Sequence, residues 1–67
     1  MVEKGRYRHF KGNEYTVIDI AKDSETLEDM VIYRAEYGDR GLWVRPAKMW
    51  NEIIERDGKS MVRFTKI

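Results

Sequence analysis

A chain of 67 residues carrying 13 basic and 12 acidic side chains, one histidine and no cysteine makes one small domain (residues 1–67) with a net charge of only +1. Without cysteine there is no disulfide framework, thiol nucleophile or thiolate metal site, and the near-neutral balance supplies no global field toward nucleic acid or a membrane. The opening MVEKGRYRHF is charged from its third residue and the longest apolar run is Met30–Tyr33, so no secretory leader or membrane span is expected and the cytoplasm is the expected compartment.

A domain of this size buries only ~60% of its unfolded surface. Its two Trp, four Tyr and two Phe are therefore core material first. In chain order, GRYRHFKG (5–12) alternates, with Tyr7 and His9 on one side and Arg6, Arg8 and Phe10 on the other. Lys11-Gly12-Asn13 has turn chemistry, and EYTVIDIA (14–21) carries Val17, Ile18 and Ile20 among strand-favouring Tyr and Thr, which predicts a hairpin. The polar KDSETLED (22–29) leads into MVIYRAEY (30–37), which divides into Val31, Tyr33, Ala35 and Tyr37 against Ile32, Arg34 and Glu36. A helix competes here, because Leu27, Met30, Val31 and Arg34 also fall at helical spacing and Thr26 and Asp29 mimic a capping box. The β-branched and aromatic Val-Ile-Tyr, followed by the turn Gly38-Asp39-Arg40-Gly41, favours a strand.

LWVRP (42–46) reads as a short strand halted by Pro46, which cannot donate to a ladder. Beyond it, Met49, Trp50, Ile53 and Ile54 fit one helical face, whereas EIIERDGKSMVRF (52–64) fits two strands about Asp57-Gly58. One helical turn at Ala47–Trp50 and then a hairpin reconciles the two patterns. Five or six short strands are too few for a two-sheet sandwich, so the expected fold is mainly β: a small SH3-like β-barrel with one short helical turn.

The runs GRYRHFKGNEY (5–15), SETLE (24–28), VIYRAEYG (31–38) and LWVRP (42–46), in this order and spacing, resemble a family of short, mainly bacterial proteins known as domain of unknown function 1653. The resemblance covers residues 5 to about 64, with Trp50 in place of an expected Phe. It implies a bacterial cytoplasmic setting and no reaction.

Trp43 and Arg45 share one face of their strand and Leu42 and Val44 the other. Either Leu42 and Val44 fill the core and Trp43 stands outside beside a guanidinium, or Trp43 turns inward and Arg45 sits at the rim, pairing with Glu25 or Glu28. Met49 and Trp50 are expected in the core. The only histidine, His9, cannot make a metal site alone. Glu25, Glu28 and Asp29 are expected to be solvated or paired with Arg34 and Arg45.

The first functional expectation is a non-enzymatic module holding a protein segment or other ligand in an aromatic groove of Tyr7, His9, Tyr33, Trp43 and Arg45, with Glu25 nearby. The second is single-stranded nucleic-acid binding through Arg6, Arg8, Phe10 and Lys11. An enzyme ranks third, and no catalytic residue, metal or cofactor is expected. The expected partners are thus a protein or small ligand, with nucleic acid an alternative and no membrane, on a monomer or weak dimer.

Overall fold

The computed structural model describes residues 2–67, and in it the alternating segments become antiparallel strands. β1 (Gly5–His9), β2 (Glu14–Lys22), β3 (Asp29–Ala35) and β4 (Leu42–Pro46) are followed by one helical turn, α1 (Ala47–Trp50), then β5 (Ile53–Arg56), β6 (Lys59–Val62) and β7 (Phe64–Lys66). Five strands form one sheet in the order β4-β3-β2-β1-β7, and β5 and β6 pair with each other. The strand reading of MVIYRAEY holds, since Val31, Tyr33 and Ala35 are buried on one face and Ile32 and Arg34 are half-buried on the other.

A bulge interrupts the β2–β3 ladder. The register between β2 and β3 shifts between Val17 and Asp19, so Val17 lies opposite Tyr33 and Ile20 opposite Val31, both toward the core, although they stand three residues apart. An inserted residue sharpens the local twist. It also leaves Ile18 38% exposed, a position that simple alternation does not distinguish from Val17.

The core is aromatic. Trp50 is fully buried and lies flat on Phe64, centroids 3.8 Å apart, with Tyr7 and Tyr33 presenting their edges at 5.3 and 5.0 Å. Val2, Val17 and Val31 fill the remaining space, and Met49 is half-buried. The helical turn has no side-chain cap, so it is held by the packing of the indole it delivers.

Two expectations about architecture are corrected. There are seven strands among the described residues, where five or six were expected, and their ladders do not close into a barrel. The turn at Asp57 and Gly58, both at positive φ (52° and 75°), folds β5 onto β6, and this hairpin pairs with no strand of the larger sheet. β7 then lies beside β1, while β4 remains the opposite edge. Side chains span the gap: the Arg45 guanidinium of β4 lies 5.8 Å from the centre of the Phe64 ring of β7.

The outer face is knitted by charge across strands. Glu14 accepts from Arg6 at 3.1 Å and Arg8 at 3.2 Å, and Glu36 accepts from Thr16 and Arg40 with Arg6 at 3.8 Å. No helix among the described residues is long and apolar enough to cross a membrane.

Candidate functional site

Register decides what LWVRP presents. Trp43 lies opposite Tyr33 and Arg45 opposite Val31, so both point to the core side, and Leu42 and Val44 point to the outer side with Arg34 and Ile32. Facing inward does not bury Trp43: it is 61% exposed, and Leu42 and Val44 are 58% and 59% exposed. The core ends at Tyr33, and β4 has no neighbour beyond it. Neither sequence alternative describes this fully; the inward orientation of Trp43 and the rim position of Arg45 come from the second.

The expected carboxylate partners of Arg45 are corrected. Glu28 pairs with Lys48 at 3.2 Å and Asp29 with Lys22 at 2.6 Å, while exposed Glu25 donates its backbone N–H to the Asp23 carboxylate at 2.8 Å. Arg45 packs on Phe64, and its buried Nε meets no protein acceptor among the described residues. Glu25 and His9 lie beyond opposite ends of the nine-residue β2, roughly 30 Å apart at a strand's rise per residue, so no pocket joins them.

The backbone of β4 is open on its outer side. The Ala35 N–H donates to the Gly41 carbonyl at 3.2 Å, which fixes the phase of the ladder. Tyr33 with Trp43 and Val31 with Arg45 are then the hydrogen-bonded pairs, and the N–H and C=O groups of Leu42 and Val44 point away from the sheet.

A second surface lies at the β1–β2 turn. Half-buried Phe10 packs against His9, centroids 4.4 Å apart, and has Lys11 Nζ at 5.9 Å and the Arg56 guanidinium at 5.6 Å from its ring centre. A cleft of about 560 Å³ runs past Arg8, His9, Phe10, Met61 and Val62. Another of about 340 Å³, on the same phenyl ring, is lined by Lys11, Arg56, Asp57, Lys59 and Met61. His9 Nδ1 accepts the Lys11 backbone N–H at 3.1 Å, so the neutral ring carries its proton on Nε2. Burial, then the charges of Arg63, Lys11 and Arg45, holds the His9 pKa below its ordinary value.

The expected groove is thus only partly assembled. Tyr7 and Tyr33 are core, 5% and 8% exposed, and the Tyr7 hydroxyl donates to the Glu3 carbonyl at 2.8 Å. Trp43 and Arg45 lie at the β4 rim, and His9 belongs to the Phe10 surface. Of the basic set, Arg6 and Arg8 are engaged by Glu14, and Phe10 turns toward His9 rather than projecting with them. Arg56, Lys59 and Met61 were missed as site residues. The Asp57-Gly58 turn announced their hairpin, but no local signal announces its packing beside Phe10. Among the described residues, no three His, Asp or Glu side chains gather in a metal-binding cluster.

The pattern of the family described as protein of unknown function (DUF1653) matches residues 5–66. The chain is also similar to the crystal structure of a protein belonging to DUF1653 from Bordetella bronchiseptica, at 31% identity and a TM-score of 0.89 over 98% of this chain and 87% of that one. No curated protein matches. The chain belongs to the DUF1653 family.

Proposed function

We propose that this DUF1653 member is a non-catalytic, SH3-like half-barrel of the cytoplasm that captures an extended segment of another protein as an added strand beside β4. The observation that carries this reading is the open outer side of β4, where Leu42, Trp43 and Val44 stand about 60% exposed in a row. Edge strands are ordinarily blunted by charge, proline or a covering element. Here Arg45 and Pro46 guard one end alone, and three apolar side chains flank the free backbone groups.

Strand addition draws affinity from main-chain hydrogen bonds and selectivity from alternate side chains. Trp43 offers an indole face to an apolar residue of the incoming segment, and Arg45 offers a guanidinium to a carboxylate on the same side. The favoured ligand is an extended, apolar segment with one acidic residue.

Val44→Pro isolates this chemistry. The Val44 N–H points outward, so proline deletes one edge donor and spares the ladder to β3. Random linear peptides selected on the intact domain should shift the Leu42 and Val44 amide resonances and bind Val44→Pro and Trp43→Ala at least tenfold more weakly. Peptides that bind Val44→Pro as tightly as the unaltered chain would overturn the reading. Sedimentation that finds a dimer lost in Val44→Pro would put a second copy on the edge in place of another protein.

A further inference from the structure

The charge of the molecule is unevenly spread. The residues lining the two clefts at Phe10 include four cations (Arg8, Lys11, Arg56 and Lys59) and one anion (Asp57), a balance of +3 in a chain whose total is +1. Arg8 is engaged by Glu14, whereas Lys11, Arg56 and Lys59 have no carboxylate partner among the described residues. Two of the three cations lie over the Phe10 ring. Burial first, then the charges of Arg63, Lys11 and Arg45, holds the His9 pKa down, so of the three patch cations Lys11 is the one that also acts on the imidazole.

We infer that this surface binds single-stranded nucleic acid, with a base lying against the Phe10–His9 pair and neighbouring phosphates held by Lys11, Arg56 and Lys59. A single strand presents a flat ring and an anion at every nucleotide, and the surface presents their complements, with Lys11 and Arg56 at 5.9 and 5.6 Å from the Phe10 ring centre and Lys59 lining the same cleft. An acidic peptide would use the cations and leave the rings without a partner. Clefts of 340–560 Å³ suit groups of nucleobase size, and neither approaches the dimensions of a duplex. This site shares no residue with the β4 edge, so the two readings stand or fall separately.

The probe is a fluorescent oligothymidylate of about 12 nucleotides, followed by anisotropy. Three phosphate contacts give a slope near −0.7 × 3 in log K against log salt, so affinity should fall about 20-fold between 50 and 200 mM salt. An abasic strand of equal length should bind at least tenfold more weakly, and Phe10→Ala should erase that difference while keeping the salt slope. The double variant Lys11→Ala, Lys59→Ala should flatten the slope to about −0.7. In the unsubstituted chain, added oligothymidylate should raise the pKa of His9, a single imidazole signal by NMR, which keeps the test independent of any variant's folding. Val44→Pro should bind the oligonucleotide as the unaltered chain does. No binding at 50 mM salt, equal binding of the abasic strand, or a His9 titration that does not move would each overturn the inference, and so would polyglutamate that competes on equal terms.

Discussion

Alanine at each of the two tryptophans should give opposite outcomes. Trp50 is fully buried against Phe64, Tyr7 and Tyr33. An indole removing roughly 150–250 Å² from water, at about 25 cal/mol per Å², contributes about 4–6 kcal/mol, close to the ~3–5 kcal/mol usual for Trp→Ala in a core. A chain of 67 residues has a total stability of about 3–10 kcal/mol, so Trp50→Ala should be largely unfolded at room temperature. Trp43 is 61% exposed at the sheet edge, so the same arithmetic on its remaining area sets an upper bound of about 1.5–2.5 kcal/mol, and its alanine variant should lose about 1 kcal/mol, a shift of about 4–8 °C in Tm. Urea and thermal unfolding followed by circular dichroism give both quantities. Acrylamide quenching of the single-tryptophan variants Trp43→Phe and Trp50→Phe gives the exposure of the indole that remains. A loss above about 2 kcal/mol for Trp43→Ala, with a shielded indole in Trp50→Phe, would make Trp43 a core residue and remove the reasoning for a binding edge.

Two further predictions concern titration. The Thr16 hydroxyl, then Arg40 and Arg6, holds Glu36 at about 2 against an ordinary 4.5. The native state therefore favours the carboxylate, a stabilisation complete above pH 4.5 and lost as pH falls toward 2. The urea midpoint of the parent should drop through that window and that of Glu36→Gln should drop less; parallel profiles would refute the assignment. The Tyr15 hydroxyl meets the Tyr37 hydroxyl at 2.8 Å, and burial followed by that contact pushes Tyr15 up to about 12 from an ordinary 10.0. Tyr37→Phe should move one phenolate transition back toward 10.0, read by ultraviolet absorbance, and an unchanged titration would show that burial alone sets it.

What could be read from the sequence was local. The faces of Val31, Tyr33 and Ala35, the single turn at Ala47–Trp50 and the Asp57-Gly58 hairpin follow from alternation, from the helical spacing of Met49 and Trp50 after a strand halted by Pro46, and from a dipeptide that tolerates positive φ. What could not be read depends on strand order. LWVRP has the same pattern in a central strand as at an edge, yet only an edge leaves Trp43 exposed while it faces inward. Alternation grouped Tyr7 with His9 and left the face of Trp43 open between two alternatives, and it carries no information on how far the core reaches along each strand. Tyr7 and Tyr33 are therefore expected in a groove, whereas their rings are core and pack edge-on against Trp50. The pairing of Arg6 and Arg8 with Glu14 was hidden for a related reason, since it arises from the β1–β2 register in which Arg8 faces Glu14 and Arg6 faces Thr16.

The unclosed sheet ties the architecture to the proposed function. Had β4 found a strand partner across the gap, the outward groups of Leu42 and Val44 would be consumed and the edge would vanish. Instead a planar guanidinium laid over Phe64 covers the seam without pairing any backbone. The inner face is filled by stacked rings, and the outer face satisfies its own charges through Glu14 and Glu36. Unspent chemistry is left at two rims: backbone donors and an indole along β4, and unpaired cations around Phe10. A domain built this way has its interior committed to staying folded, so the proposed recognition has only its margins to use.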